Sequence, residues 1–238
     1  DAGCGVSALP IHLALGGATV VAIDNDHRWL GMEARAVRFH RVPVVPVLME
    51  MESLAFPDES FDRVYCISVL EHLPVDNQAQ AMREMTRVLR PGGILYLTVD
   101  YDERERRSED DVVYDRLAMQ RYGIAPSGLV IEGTTDWTRP DWDEHHHRMR
   151  EFKYHTFAAM AVALRKPPAS GPESSQAIEA RLARIESAPF RVAIDLGHAS
   201  EEGYDTLAAM SVQASALGFE RAHVRCASRA GRYASEAL

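Results

Sequence analysis

Asp1-Ala2-Gly3-Cys4-Gly5-Val6-Ser7-Ala8 opens the chain, and the apolar run Val20-Val21-Ala22-Ile23 then ends on Asp24. The first stretch has the GxGxxA spacing, in which glycines let a backbone turn tightly and approach a ligand closely. The second is a short β-branched run ending at a polar tip, the pattern of a buried strand. An acid at such a tip accepts hydrogen bonds from both hydroxyls of a ribose. Together they predict a nucleoside-cofactor site on a parallel sheet. Asp1 narrows the ligand. An acid two residues before the first glycine meets a positively charged amino group and repels a pyrophosphate. The turn therefore suits a zwitterionic ligand better than a doubly anionic one.

Outward from the turn, strands and helices alternate, which implies a parallel sheet with crossover helices. Residues 7–15 read as a helix closed by Gly16-Gly17, and 18–23 as a strand. Residues 27–39 read as a helix facing the sheet through Trp29, Leu30, Met32, Ala36 and Phe39. The run 42–48 has strand composition, but its two prolines predict a short or peripheral strand. Residues 63–69 and 94–99 are further strands around a helix at 77–90, with Asp76 as its N-cap and Met82, Met85 and Leu89 on its core face. Pro91-Gly92-Gly93 should stop that helix. The mixed charge run 102–111 predicts a solvated helix or lid, and 156–165 a late strand. Residues 166–176 read as a Pro/Ser/Gly-rich linker. Beyond it come helices near 177–187 and 201–217, and strands at 190–196 and 221–227.

Composition sets the class. The chain has 238 residues, of which 46% are apolar and 26% charged, with a net charge of -9. No basic face suited to nucleic acid is visible, and no stretch is long and apolar enough to span a bilayer. Neither nucleic acid nor membrane is expected as a partner. The three cysteines are unpatterned, which points to a reducing cytoplasm and to neither a disulfide framework nor a metal centre. The strand that should lead into the glycine turn is not in the sequence. The expectation is an N-terminally truncated chain, less stable than one extended upstream.

DAGCG, VVAID, MESLAFPDESFD (51–62), VLEHL (69–73) and LRPGGILYLTV (89–99), in this order, resemble class I S-adenosylmethionine-dependent methyltransferases. The likeness is to the broad small-molecule subgroup that includes ubiquinone-pathway enzymes, and it covers about residues 1–166. It implies an α/β fold, a Rossmann-like, mostly parallel sheet with helices on both faces. Residues 177–238 would form a small α/β extension or a truncated second domain. It also implies S-adenosylmethionine as cofactor and a small-molecule methyl acceptor. Asp1, Gly3, Cys4 and Gly5 would contact the methionine end, and Asp24, with Asn25 beside it, the ribose. Glu50 would receive the adenine amino group and the Met51 backbone amide would face the ring. Ile67 and Ser68 would sit at a strand tip beside the methionine. Two positions depart from the pattern: Glu50, where the family more often has Asp, and Ser7, where many relatives have a third glycine.

Other readings compete at single residues. Cys4 lies inside the turn, so backbone approach is favoured over nucleophilic chemistry. His72 follows a strand tip and is a candidate general base, with packing or capping as its alternative role. His145-His146-His147 cannot easily all face one ion, so a loop is favoured over a metal site. Trp137 and Trp142 fit either an aromatic pocket or packing. At the level of the whole chain, the rivals are an NAD-dependent oxidoreductase and a non-catalytic binding subunit of methyltransferase fold. Asp1 and the 51–62 and 89–99 blocks argue against the first, and the cofactor acids against the second.

Overall fold

The opening residues pair with the strand that ends on Asp24. Ala2 bridges Ile23 in parallel, the Ile23 amide donates to the Asp1 carbonyl at 2.9 Å, and the amides of Gly3 and Cys4 both donate to the Ile23 carbonyl. In this computed structural model, residues 1–108, 111–138 and 158–168 are described, with the strands 191–196, 221–227 and 233–237. They divide into two compact units, Asp1–Ser60 with Pro172–Leu238, and Phe61–Gly171.

In the first unit, α1 (Leu9–Leu15) follows the glycine turn. It starts two residues later than expected, because the Ser7 hydroxyl accepts the Leu9 amide at 3.0 Å, and Pro10 falls in the first turn, where its missing N–H costs nothing. Strand β1 (Val20–Asp24) runs one residue further than the sequence suggested, so Asp24 is its last residue. Asp26 caps α2 (His27–His40) by accepting the Arg28 amide, and Arg41, left-handed at φ 53°, ends it. Leu30, Glu33, Ala34 and Val37 form its buried face, at the spacing of a helix seated on a sheet. Of the residues expected to face the sheet, only Leu30 is buried, with Ala36 intermediate, while Trp29, Met32 and Phe39 are exposed. Strand β2 (Val44–Leu48) pairs in parallel with β1, placing Pro46 opposite Ala22. The missing Pro46 donor is tolerated because β1 is the sole partner of β2 in this sheet, among the described residues. A second sheet has the order β11-β10-β9, from β9 (Arg191–Leu196), β10 (Arg221–Ala227) and β11 (Tyr233–Ala237). Its β9/β10 pair is parallel and β11 antiparallel. The two helices expected around these strands lie outside the described residues.

The second unit is built on a four-stranded sheet of order β3-β4-β8-β7. Strands β3 (Phe61–Ile67) and β4 (Leu89–Tyr101) are parallel; β8 (Ala158–Arg165) runs antiparallel to β4, and β7 (Val130–Ile131) antiparallel to β8. A 3-10 turn (Leu70–His72) and α3 (Val75–Val88) connect β3 to β4. Pro74, not Asp76, occupies the cap of α3, leaving Asp76 in the first turn, where its charge suits the helix dipole. The helix ends before the Pro-Gly-Gly run, which belongs to β4. The Gly92 amide donates to the Lys166 carbonyl and the Lys166 amide to that of Gly93. A side chain at Gly93 would press within 2.8 Å of the Arg90 carbonyl. The Lys166 ammonium caps the last carbonyls of α3, at Thr86 and Leu89. Met82, Met85, Leu89, Leu95 and Leu97 are fully buried in the core, each stabilising the fold by roughly 1.5–3 kcal/mol relative to exposure.

The charge run is not a helix. It forms a short hairpin of β5 (Arg106–Arg107) and β6 (Val112–Val113), solvated at its arginines. A helical stretch follows, comprising α4 (Arg116–Ala118), a π-helical turn (Met119–Ile124) and α5 (Ala125–Ser127).

Candidate functional site

In the first unit the glycine turn and Asp24 form one hydrogen-bonded assembly. Gly3 and Gly5 have φ of 72° and 50°, the left-handed region that side chains resist. Nothing lies within 4 Å of where a Gly5 side chain would project, so the space beside the turn is open. Asp24 is buried at the carboxyl end of β1. One of its oxygens accepts the Gly5 amide at 2.8 Å and the other the Asp26 amide at 2.8 Å. A carboxylate offers about four acceptor positions, so roughly two remain for outside donors. At the end of the next strand, the exposed Glu50 carboxylate accepts from the Asn25 side-chain amide at 3.1 Å. Met51 beside it is buried.

Cys4 is buried within the turn, and burial, reinforced by the Asp24 and Glu33 carboxylates, pushes its thiol up to about 12. A thiol so held carries no thiolate near neutral pH, which removes nucleophilic chemistry and leaves its backbone as the working part. Glu33 was not foreseen as a site residue. It is 1% exposed, one carboxylate oxygen has no hydrogen-bond partner, and burial raises its carboxyl to about 7.

In the second unit, Ile67 ends β3 with its side chain partly exposed, and Ser68 follows at φ 53°. A non-glycine residue in that region stores ~1–3 kcal/mol of strain, and such strain gathers at functional sites. Thr98 holds Ser68 in place: the Ser68 amide donates to both the carbonyl and the hydroxyl of Thr98, and the two hydroxyls are 3.3 Å apart.

His72 stands at the end of the 3-10 turn with Nδ1 hydrogen-bonded to the Asp111 carboxylate, both side chains about half exposed. With Nδ1–H donating to that carboxylate, Nε2 carries the free lone pair. The surrounding backbone is braced from within. Glu71 is fully buried, accepts the Asp100 amide at 3.2 Å and is raised by burial, with the Asp100 carboxylate adding to the effect. The Tyr114 amide donates to the Asp100 carbonyl. The Tyr114 hydroxyl donates to Gln78, whose amide donates to the Leu73 carbonyl. The segment carrying Asp111 is thus tied to the one carrying His72. Asp111, Thr98 and Glu71 escaped the sequence reading as site residues: Glu71 and Thr98 lie inside the 69–73 and 89–99 blocks without a role assigned to them, and no local motif marks Asp111.

Trp137 packs at an angle on Tyr101, whose hydroxyl donates to the Trp137 carbonyl, and the Arg116 guanidinium lies 5.4 Å from its ring centre. Trp142 and His145-His146-His147 lie outside the described residues. Among the described residues, no group of three or more His, Cys, Asp or Glu is placed to hold a metal ion.

Residues 1–97 match the family model of a methyltransferase domain. The chain is 37% identical to methyltransferase GfsG of Streptomyces halstedii, over 47% of this chain and 40% of that protein. It is 33% identical to a ubiquinone biosynthesis O-methyltransferase of Alkalilimnicola ehrlichii, over 58% of this chain and 51% of that one. It spans about half or less of the length of these relatives. Among solved structures it resembles geranyl diphosphate C-methyltransferase of Streptomyces coelicolor, with a TM-score of 0.56 at 16% identity over 70% of each chain. It likewise resembles the [4+2]-cyclase SpnF, with a TM-score of 0.56 at 22% identity over 71% of this chain and 74% of that one. At such identities the structural likeness establishes a Rossmann-like fold and no more.

Proposed function

We propose that this chain, whose residues 1–97 carry a methyltransferase domain, transfers a methyl group from S-adenosylmethionine to a small-molecule acceptor by in-line displacement. The observation that carries this reading is the bond between the Gly5 amide and the Asp24 carboxylate. It fixes a ribose-accepting acid against an open glycine turn, with the Asn25–Glu50 pair at the end of the adjacent strand. Such a set of carboxylate acceptors fits a nucleoside that carries a cation. Asp1 and the backbone of Gly3, Cys4 and Gly5 would hold the methionine end. Asp24 and Asn25 would take the ribose, Glu50 and Met51 the adenine, and Ile67 with Ser68 would lie beside the methionine.

The cofactor, when bound, supplies a methyl group already activated on a sulfonium. The protein's part is then to position the acceptor and to handle its proton. Holding nucleophile and methyl in line lowers the barrier by roughly 7–11 kcal/mol. We read His72 as the base: Nε2 takes the proton of an acceptor hydroxyl or activated carbon while Asp111 stabilises the imidazolium. We read residues 1–166 as the methyltransferase domain, 167–176 as a linker and 177–238 as an extension. No helix among the described residues is long and apolar enough to cross a membrane. The free, buried Cys4 and Cys66 support a reducing cytoplasm as the site of action.

The test is a labelled methyl-donor assay of the protein against fractionated metabolite pools, read by mass spectrometry. The expected result is a methylated small molecule that forms only when S-adenosylmethionine is present. Cofactor binding without turnover on any pool would favour a non-catalytic binding subunit instead.

A further inference from the structure

Helix α2 turns an unusual face to solvent. Its buried side is Leu30, Glu33, Ala34 and Val37. The opposite side carries Trp29 at 47%, Met32 at 47% and Phe39 at 82% exposure. With Ala36 between them, these residues follow the spacing of one helical stripe. Beside the stripe lie Arg28, Arg35 and Arg38; Arg41 follows the helix end, and His27 and His40 close its two ends. Arg28 is paired with the capping Asp26. Glu33, the one acid of the helix, faces inward. On a chain of net charge -9, this face therefore presents apolar groups and cations and no carboxylate of its own helix.

A helix face meant for water is polar. Aromatic and thioether side chains flanked by arginines are instead the composition of a helix lying in the surface of an anionic bilayer. There the apolar stripe enters the headgroup boundary and the guanidiniums meet lipid phosphates. The stripe is convex, on the outside of a helix, which suits a deformable lipid surface better than a rigid partner. Expecting no membrane partner for want of a spanning stretch leaves such a surface contact untouched, since lying on a bilayer requires no span.

We propose that the outer face of α2 docks on anionic lipid surfaces through Met32, Phe39 and Trp29, with Arg38 and Arg41 meeting lipid phosphates.

The test is co-sedimentation of the full chain with vesicles of phosphatidylcholine alone or mixed with phosphatidylglycerol. Binding is expected to the mixed vesicles and to weaken sharply at high salt. Met32→Ser with Phe39→Ser, and separately Arg38→Gln with Arg41→Gln, should each lower the partition coefficient about tenfold or more. Both variants should keep wild-type melting and S-adenosylhomocysteine binding, which separates loss of docking from misfolding and from failure of the cofactor reading. Equal binding to both vesicle types, or binding indifferent to both variants, would overturn the proposal. So would dimers in light scattering that the same substitutions disperse, because the face would then be an interface between copies of this chain.

Discussion

The Asp24 turn of the first unit and the His72 loop of the second are held by opposite means. Around Asp24 the work is done by main chain. Two amides, from residues close to strand tip or turn, fix a buried carboxylate. Around His72 a half-exposed imidazole meets a half-exposed carboxylate 39 residues away, and a buried network of Glu71, Tyr114 and Gln78 sets the backbones that present them. Backbone-held acids give a stiff binding cradle. A side-chain pair on braced loops gives a group able to take up and release a proton. Binding and chemistry should therefore separate under mutation.

The largest expected effect is on chemistry alone. His72→Ala should lower kcat by about 10²–10⁴-fold while S-adenosylhomocysteine affinity stays at the wild-type value. Asp111→Asn should lower kcat less, since the ring keeps a hydrogen-bond partner but loses the carboxylate that orients it. If His72→Ala instead weakened cofactor binding and left kcat intact, the division between the two regions would collapse.

Asp24→Ala should act in the opposite sense. It removes the acceptor of two half-buried amides and the proposed ribose partner, so S-adenosylhomocysteine affinity should fall about 30-fold or more and the melting temperature should drop as well. Gly5→Ala should cost less. The side chain has room, but φ of 50° is strained for alanine, by roughly 1–2 kcal/mol, visible as a lower melting temperature with modest loss of affinity.

The smallest effect is electrostatic. Burial raises the Glu33 carboxyl from 4.5 to about 7, so the folded chain holds this proton more tightly than the unfolded one. Its contribution to stability is fully present below about pH 4.5 and is lost as pH rises through about 7. Melting should therefore decline across that window, and Glu33→Gln should flatten part of the decline. Glu71, raised in the same direction, adds to the decline.

The same contrast explains what the sequence could reveal. The glycine turn, Asp24 and Glu50 belong to short contiguous patterns, and the strands that carry them are plain apolar runs, so their placement at the ends of β1 and β2 was legible. Asp111 was not, because it lies in a charge run whose composition suited a solvated helix equally well. It meets His72 only because the β5–β6 hairpin and Tyr114 bring it back to the end of β4. Pro91-Gly92-Gly93 was legible in part: the helix does end before it, but long-range pairing with Lys166 absorbs those residues into β4, which the sequence placed only from residue 94. The exposed side of α2 shows a further limit of pattern reading. Trp29, Met32 and Phe39 look like core residues by composition, yet the helix buries the other side.

Isothermal titration of the intact chain and of Asp24→Ala with S-adenosylhomocysteine, alongside NAD, tests the central claim most directly. The expected result is saturable binding of S-adenosylhomocysteine that Asp24→Ala weakens about 30-fold or more, with no heat from NAD. Tight NAD binding with none of S-adenosylhomocysteine would contradict it.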